Sequence, residues 1–275
     1  MIHVITAVHN RRAITEKFVE SLLSQTYREI HLLLVDDGSS DGTDQMVRER
    51  FPRSTILYGD GNLWWGGALQ LAFQWLMEHA EGEDSVLLTN DDTCYEENYI
   101  EIGVRLLQEY PQTLVAGSGY GLKSGRHLDG IFAHSFRDGT GQLLPPDSEG
   151  NCASTRSLFL TVEMWRRTGG MHPFLLPHYF ADFELTIRAW RKGMKIRSFG
   201  QLRYTFDEGA TGDNRYEELT VKKLFGKRSG CNPLYRLSFI LLSTPPRYLP
   251  GHLWHQMIRY IKKAGTFFRI LKNRH

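Results

Sequence analysis

Cysteine is scarce in this chain, and the few cysteines form no recognisable motif. Three occur among the 275 residues, Cys94, Cys152 and Cys231, which lie far apart and include no CxxC pair. This spacing is typical of proteins from a reducing compartment. It argues against a structural zinc site and against a disulfide framework.

Long apolar runs and a strong charge imbalance are also missing. No run approaches the roughly 18 apolar residues of a membrane span. Met1 leads directly into a strand pattern, without the basic start and apolar core of a signal peptide. The net charge of +2 gives no sign of a nucleic-acid partner. We therefore expect a cytoplasmic globular protein, in line with its 41% hydrophobic and 23% charged residues.

Two common nucleotide-binding motifs are absent as well. No GxGxxG follows the first apolar segment, and neither GxxxxGKS nor GxxxxGKT occurs, so a P-loop and a dinucleotide fold of the usual kind are not supported. Instead, strand and helix patterns alternate four times in about ninety residues. This order predicts βαβ units and a mostly parallel sheet flanked by helices. The strand patterns cover 2–8, 30–35, 54–58 and 85–89, and the helix patterns cover 13–25, 43–50 and 63–79.

Two of the predicted strands end in adjacent aspartates, Asp36-Asp37 and Asp91-Asp92. Open α/β sheets bind ligands beyond the carboxyl ends of their strands. Neighbouring carboxylates repel each other unless a cation lies close, and Mg²⁺ or Mn²⁺ takes carboxylate oxygens and bridges phosphates. Two such pairs at one sheet edge fit a nucleotide diphosphate and its metal. An ordinary solvated turn is the alternative.

Beyond the first ninety residues the patterns are less regular. We expect a helix over 95–110, a strand over 113–118, hairpins and loops over 119–150, and a strand over 157–162. The Gly-rich and polar composition of 119–150, without a helical period, is what indicates hairpins there.

A second acidic pair lies at the start of a late helix. Asp182 and Glu184 precede the helical pattern at 185–192 and fall in its first turn, where the helix dipole favours anions. Helix capping is the alternative explanation for this pair.

The composition changes near residue 221. Residues 222–275 are rich in Lys and Arg, with apolar residues interleaved. Such a segment either lies on an anionic membrane face or packs as a helical appendage with a solvated basic face. We therefore expect a main domain over 1–220 and a basic amphipathic helical extension over 221–275.

Five short motifs stand in the first hundred residues: TAVHNR at 6–11, SQTY at 24–27, LVDDGSSDGT at 34–43, GNLWWGG at 61–67 and NDDT at 90–93. With these motifs in this order, the chain resembles the family 2 inverting glycosyltransferases of the GT-A fold, over about residues 2–212. GNLWWGG resembles the bacterial branch that includes rhamnosyltransferases of cell-surface polysaccharides.

The resemblance implies a GT-A fold and a metal-dependent inverting transfer. The donor would be a dTDP- or UDP-sugar, dTDP-rhamnose included, and the metal Mn²⁺ or Mg²⁺. The acceptor would be a hydroxyl of a cell-surface glycan or of a lipid-linked molecule, reached at the inner face of the cytoplasmic membrane. The main domain would then divide into a nucleotide-binding half, 1–118, and an acceptor half, 119–220.

The resemblance also assigns roles to individual residues. Asp37 would contact the base, and Asp91 and Asp92 would form a variant of the family's DXD motif, with Asp92 the more direct metal ligand. The remaining nucleotide-binding candidates are Ala7, His9, Asn10, Arg11, Gly61, Asn62 and Asn90. The candidates for the donor or acceptor sugar are Trp64, Trp65, Gly66, His178 and Glu184, with core packing as the alternative for one of the tryptophans.

Two positions depart from the family pattern. The family has Glu-Asp at the start of the late helix, with the Asp as catalytic base. Here the pair reads Ala181-Asp182, so Asp182 takes the role of base. Phe206 stands where the family often has a histidine that helps to hold metal or diphosphate, and Asp207 beside it is a candidate substitute.

Two other functions fit parts of the same pattern. A nucleotidyltransferase also uses an α/β sheet and metal-binding carboxylates, but it would carry a Gly-rich basic loop after the first strand, where this chain has HNRR at 9–12. A non-catalytic sugar-nucleotide-binding scaffold is the other alternative. Retention of Asp37, Asp91, Asp92 and Asp182 argues against it.

Overall fold

The computed structural model describes residues 1–209, 225–227 and 229–272, with side-chain positions up to residue 261. The expected boundary near residue 220 lies outside this part, as do Lys222, Lys223 and Arg228 of the basic extension. Thirteen strands and eight α-helices occur in the described ranges. The strands are β1 (Ile2–Val8), β2 (Ile30–Asp36), β3 (Ser54–Tyr58), β4 (Ser85–Thr89), β5 (Thr93–Tyr95), β6 (Thr113–Gly121), β7 (His127–Asp129), β8 (Ile131–His134), β9 (Gly141–Leu143), β10 (Glu149–Gly150), β11 (Cys152–Ala153), β12 (Ser157–Thr161) and β13 (Lys195–Phe206). The helices are α1 (Arg12–Leu23), α2 (Thr43–Arg50), α3 (Trp64–His79), α4 (Tyr99–Glu109), α5 (Val162–Thr168), α6 (Ala181–Arg191), α7 (Pro233–Ser243) and α8 (Leu249–Lys272).

One large sheet organises the chain. Its strands lie in the order β10-β13-β6-β12-β4-β1-β2-β3, with β5 paired to β13 and β7 paired to β6. β1 to β4, β6 and β13 run in the same direction, whereas β12 is antiparallel to both of its neighbours. The expected α/β class with a mostly parallel sheet is confirmed. A small second sheet, β11-β8-β9, is formed mostly by the Gly-rich region 119–150, where the sequence predicts hairpins.

Both faces of the large sheet are buried, which explains the continuous apolar runs of its strands. Successive residues of β2 alternate between two hydrophobic clusters: Leu33 and Val35 join one, and Leu32 and Leu34 join the other. Helices on each side cover these clusters. The carboxyl ends of β1, β2 and β4 are thereby held at one edge of a rigid layer.

The first four strands and three helices lie where the sequence predicts them, and the region 95–110 differs. Its helix begins only at Tyr99, because Thr93–Tyr95 forms β5 and pairs with β13. The strand predicted at 113–118 continues to Gly121. In both places long-range pairing extends or displaces a locally correct pattern.

The C-terminal helices pack on the main body. Phe239 and Ile240 of α7 are buried, and Arg191 at the end of α6 donates to the carbonyl oxygen of Leu242 at 2.9 Å. No helix in the described ranges combines the length and apolar character needed to cross a bilayer.

Candidate active site

The loops after β1 and β2 are joined at the sheet edge by short hydrogen bonds. Asp37 N donates to Val8 O at 2.9 Å, and a His9 ring nitrogen lies 2.6 Å from Asp37 O. Asn10, with a positive φ of 52°, receives a bond from Ser40 N on its side-chain oxygen at 2.8 Å. The segment of Ala7, His9 and Asn10 therefore borders the sheet edge, with His9 and Asn10 exposed to solvent, and its contact with a nucleotide stays a prediction.

Asp37 holds the loop that begins α3. Its carboxylate is 7% exposed and accepts three backbone N–H groups. The donors are Gly61 N at 2.8 Å, Leu63 N at 3.2 Å and Trp64 N at 3.0 Å. Asn62 N donates instead to Asp60 at 2.9 Å. Asp37 thus fixes the backbone of the GNLW segment, and its contact with a base stays a prediction.

The two tryptophans of this segment have different surroundings. Trp65 packs against the core, and its indole N–H donates to Thr155 Oγ1 at 3.1 Å. Trp64 has a left-handed backbone, with φ of 55°, and its ring lies edge-on to His178 with centroids 5.8 Å apart. Trp64 Nε1 is buried and has no hydrogen-bond partner in the described chain. Trp64 therefore presents an unused donor beside His178.

Gly66 allows a close approach between α3 and the loop over 172–180. Its N–H donates to Pro177 O at 2.8 Å, and a Cβ at this position would lie 2.4 Å from Leu176 O. The glycine thus holds the loop that carries His178 against the start of α3. This contact gives Gly66 a structural role, and its contact with a sugar stays a prediction.

The acidic pair after β4 lies in a network with two arginines. Asp91 Oδ2 accepts from Arg11 Nε at 2.9 Å and from Thr15 Oγ1 at 3.0 Å. Asp92 Oδ1 accepts from Arg156 Nη1 at 2.6 Å, and Arg156 Nε lies 3.2 Å from Asp129 Oδ2. Three carboxylates and two guanidinium groups therefore share one cluster. Burial raises the pKa of the Asp91 carboxyl, and Arg11 opposes this shift.

Arg156 is the central side chain of this cluster. It is 9% exposed, and its guanidinium stacks on the Phe206 ring at 4.4 Å. Arg11 Nη2 lies 3.7 Å from Asp92 Oδ2 and is buried without a hydrogen-bond partner in the described ranges. The cluster thus has a donor that an anionic ligand could satisfy.

Asp182, in the first turn of α6, belongs to the same electrostatic environment. Burial raises the pKa of its carboxyl to about 6. The Phe183 N–H, at 2.9 Å, lowers the pKa, the Asp129 charge raises it and the Arg156 charge lowers it. Arg156 therefore connects Asp92, after β4, with the surroundings of the predicted base.

Comparison with known proteins places this geometry in a family. A family model described as Glycosyl transferase family 2 matches residues 3–161. The chain belongs to glycosyl transferase family 2. Glycosyltransferase GlyA of Streptococcus pneumoniae is 26% identical over 216 residues, which is 78% of this chain and 27% of that protein. N-acetylglucosaminyl-diphospho-decaprenol L-rhamnosyltransferase of Mycobacterium tuberculosis is 32% identical over 108 residues, 37% of this chain and 35% of that protein.

Solved structures share the fold of this family 2 chain. TarS of S. aureus superposes with a TM-score of 0.59 at 16% identity, over 75% of this chain and 36% of TarS. Mannosyltransferase PcManGT of Pyrobaculum calidifontis, in complex with GDP-Man and Mn²⁺, gives a TM-score of 0.57 at 15% identity, over 98% and 80% of the two chains. The predicted GT-A glycosyltransferase fold is confirmed. The chain spans only about a quarter to two fifths of the length of the curated relatives.

The carboxylates fit a divalent ion that arrives with a diphosphate, but they form no complete metal site. No three His, Cys, Asp or Glu side chains gather as a metal cluster within the described ranges. Hydrogen bonds in the described chain occupy one oxygen of Asp91 and one of Asp92, and each keeps a second oxygen without a hydrogen bond. Mg²⁺ commonly uses one or two carboxylates and completes its shell with phosphates and water.

The position of the family histidine is filled by an apolar ring. Phe206 is 6% exposed, and the guanidinium of Arg156 stacks on its ring. Asp207 accepts from Gly209 N at 2.9 Å and lies 4.0 Å from Lys123 Nζ. Asp207 joins no metal-type cluster in the described chain.

Glu184, predicted to contact a sugar, is buried in an ion pair. Glu184 is 1% exposed and forms a bidentate ion pair with Arg188, both N–O distances being 2.9 Å. Arg188 also donates to Thr168 O and Gly170 O, each at 2.8 Å. Residues two apart on a helix do not face the same side. The pair of Glu184 and Arg188 therefore ties α6 to the turn after α5, on a different side of the helix from Asp182.

Arg156 and Asp129 are site residues that sequence reasoning missed. Arg156 precedes β12, whose first residue pairs with Thr89 at the end of β4. That antiparallel pairing brings Arg156 beside the Asp91-Asp92 turn. In the sequence, Arg156 is simply an arginine next to an apolar strand. Its place beside Asp92 can be inferred once the pairing of β12 with β4 is known. Asn90, also a predicted site residue, shapes this turn, since its carbonyl oxygen accepts from Thr93 Oγ1 at 2.7 Å.

Proposed function

We propose that this family 2 chain transfers a sugar from a nucleotide diphosphate donor to an acceptor hydroxyl, with inversion at the anomeric carbon. One observation carries the proposal: Arg156 bridges Asp92 and Asp129, and the charges of both Arg156 and Asp129 shift the pKa of Asp182. Ninety residues separate Asp92 from Asp182 in the sequence. Arg156 contacts Asp92 and its charge lowers the pKa of Asp182, which supports a site that handles a leaving group and a proton together.

The leaving diphosphate would be held by the cluster after β4. Arg11 has an unused buried donor, Nη2, and an oxygen of a phosphate would satisfy it. Asp91 and Asp92 would hold Mn²⁺ or Mg²⁺ through their second oxygens, and the metal, when bound, neutralises charge on the departing diphosphate. Arg156 adds a further positive charge beside Asp92.

Asp182 would act as general base. With a pKa of about 6, most of its carboxyl groups are ionised at pH 7 and above. The carboxylate takes the proton of the acceptor hydroxyl while the oxygen attacks the anomeric carbon. The bond to the diphosphate breaks on the opposite face. A base with a pKa close to the working pH combines availability with proton affinity.

The donor we propose is a dTDP- or UDP-sugar, with dTDP-rhamnose as a specific candidate. The printed name of the M. tuberculosis relative, a rhamnosyltransferase, supports the rhamnose candidate. Trp64, with its unused indole N–H beside His178, would contact the sugar. Asp37 and the loop of Ala7, His9 and Asn10 would surround the base.

The acceptor we propose is a hydroxyl of a cell-surface glycan or of a lipid-linked intermediate. The name of the same relative includes a diphospho-decaprenol molecule, which is a lipid carrier. Such an acceptor would place the reaction at the inner face of the cytoplasmic membrane.

Calorimetric titration of UDP and dTDP, each with and without Mn²⁺ or Mg²⁺, tests the nucleotide site. We expect metal-assisted binding that is lost in Asp92→Ala and kept in Glu49→Ala, which removes an exposed carboxylate of α2. Absence of binding for both nucleotides would overturn the choice of donor.

Transfer from the bound donor tests the role of Asp182. In Asp182→Asn we expect nucleotide binding to persist and transfer to fall by about 10²- to 10⁴-fold, the usual contribution of a general base. Undiminished transfer would exclude Asp182 as the base.

A further inference from the structure

Helices α7 and α8 each expose a row of large apolar side chains. On α7 these are Leu234, Leu237 and Leu241, which are 62%, 43% and 54% exposed. On α8, Trp254, Met257 and Ile261 are 58%, 45% and 62% exposed. The spacing is the same in both helices, three residues and then four, so each set lies along a single face. We call these six residues the apolar stripe.

The opposite faces of the two helices are anchored in the body. Phe239 and Ile240 of α7 are 6% and 1% exposed, and His252 and Gln256 of α8 are 2% and 8% exposed. His252 lies 2.8 Å from Thr244 Oγ1, within hydrogen-bond distance. The outward direction of the stripe is therefore fixed by packing on the inner side.

The charge of the chain is strongly divided between its two parts. Residues 222–275 contain twelve of the 33 Lys and Arg residues and none of the 31 Asp and Glu residues. The segment therefore carries +12, and the 21 basic and 31 acidic residues before it give −10. The small net charge of the whole chain conceals this division.

We propose that α7 and α8 lay the apolar stripe on an anionic lipid surface. Amphipathic helices with cationic residues bind such surfaces by inserting apolar side chains while their charges attract anionic head groups. Trp254 is suited to this depth, because indole rings favour the boundary between lipid and water. A second copy joined face to face would bring two segments of charge +12 together. An anionic membrane accommodates both the apolar side chains and the charge.

The surface lies close to the predicted base. Phe180 directly precedes α6, which begins at Ala181, and stacks on Phe239 of α7 with centroids 5.1 Å apart. Arg236 of α7 lies 5.1 Å from the centre of the same Phe180 ring. One helix layer therefore separates the lipid-facing stripe from the start of the helix that carries Asp182. If the proposed function holds, acceptors held in the membrane come within reach of the base; the lipid contact itself does not depend on it.

Co-sedimentation of the full chain with vesicles tests the lipid surface. The vesicles are pure phosphatidylcholine, or phosphatidylcholine with phosphatidylglycerol at roughly 3:1, each at low and high salt. We expect binding to the anionic vesicles that weakens with salt, as screening requires. In the triple variant Leu234→Ser, Leu241→Ser, Trp254→Ser we expect the partition coefficient to fall by about tenfold or more.

The matched control is a triple serine variant at exposed apolar positions elsewhere, Leu23, Tyr58 and Leu122, which should bind like the wild type. Circular dichroism and calorimetric binding of UDP or dTDP check that both variants are folded, and they test the nucleotide site independently of the membrane. Lack of binding to anionic vesicles, or equal binding by the stripe variant, would overturn the proposal. A wild-type dimer that the stripe variant dissociates, without vesicle binding, would assign the stripe to a second copy instead.

Discussion

Arg156 shows how much a single side chain can determine in this site. It touches two carboxylates of the cluster and modulates a third, Asp182, through its charge. Its guanidinium is held between these acids and the ring of Phe206. Because it is nearly buried, its charge acts with little screening by water.

The pH dependence of transfer should report this arrangement. We expect kcat/KM to rise with pH through about 6, because the Asp182 carboxyl must lose its proton before it can accept one. In Arg156→Met the rise should move to higher pH, because the charge of Arg156 lowers the pKa of Asp182. Without Arg156, the negative charge of Asp129 raises that pKa with less opposition. The measurement is the initial rate between pH 4.5 and 8.5, a range of about four units around that pKa.

Arg203→Met provides the control for this prediction. Arg203 stacks on Tyr120 at 4.2 Å and is exposed, so its loss should leave the profile in place. A wild-type profile that rises near pH 4, or an unshifted profile in Arg156→Met, would contradict the assigned environment of Asp182.

At the scale of elements, the start of α3 depends on one carboxylate. Asp37 accepts the N–H groups of Gly61, Leu63 and Trp64 and is itself mostly buried. Side-chain acceptors often satisfy the free N–H groups at the beginning of a helix. Here the acceptor comes from the end of β2, so the strand determines where the helix begins.

Asp37→Ala should lower the free energy of unfolding by about 2–3 kcal/mol, because hydrogen bonds to a charged group are lost and buried donors are left unpaired. Urea denaturation measures the loss, and tryptophan fluorescence should report the change around Trp64. Asp60→Ala removes an exposed carboxylate that accepts Asn62 N, and should change stability much less. Unchanged stability with weakened nucleotide binding would instead support direct contact between Asp37 and the base.

The ion pair of Glu184 and Arg188 makes a second prediction at this scale. Glu184→Gln should cost about 3 kcal/mol of stability, because Arg188 would keep a poorly compensated buried charge. We expect kcat/KM to stay within about twofold of wild type, since the side chain is buried and paired with Arg188. Thermal unfolding and acceptor titration measure the two effects.

Glu163→Gln is the matched control for Glu184. Glu163 pairs with Arg166 on the same helix, with both side chains more than 40% exposed, and such surface pairs contribute about 1 kcal/mol or less. A raised KM for the acceptor with intact stability in Glu184→Gln would return Glu184 to the sugar site.

The contrast between Asp91 and Glu184 shows which parts of the site the sequence predicts. Asp91 follows an apolar strand of a βαβ unit, and that order alone locates it at the ligand edge. For Glu184 the sequence shows an acid near a helix start but not its buried partner. Arg156 and Asp129 were missed because their meeting requires β12 to enter between β4 and β6, a pairing that no local pattern encodes. Local periodicity predicts the elements, and non-local pairing decides which side chains meet.

At the scale of the whole molecule, burial favours the uncharged form of four histidines in the folded state. Burial is the main cause that lowers the pKa of His31 and of His134 to about 4 each. It also lowers the pKa of His3 and His252. The four form two pairs, His3 with His31 and His134 with His252, whose ring centroids lie 5.1 Å and 6.1 Å apart. The two pairs lie in different parts of the fold, so protonation would act on more than one region.

Stability should therefore fall as the pH decreases from 6.5 towards 4. In this window the unfolded chain binds protons at His31 and His134 that the folded chain excludes, so the free energy of unfolding decreases. Asp182, whose raised pKa favours proton uptake in the folded state between 3.8 and about 6, opposes this trend at one site. Urea midpoints at pH 7.5 and 5 measure the difference. The double variant His31→Gln, His134→Gln should flatten it, whereas the exposed-site variant His79→Gln should not; an unchanged slope in the double variant would contradict the prediction.

The place of β12 has a consequence for how the chain is made. Its residues pair with β4, which precedes them by about seventy positions, and with β6 on the other side. As the chain emerges from the ribosome, β4 therefore has an unpaired edge until residues 157–161 are synthesised. That edge carries Val86, Leu87 and Leu88, and an unpaired apolar strand is a template for association with other chains. A pause in translation near residue 120 would therefore prolong the time for which this edge of β4 is unpaired.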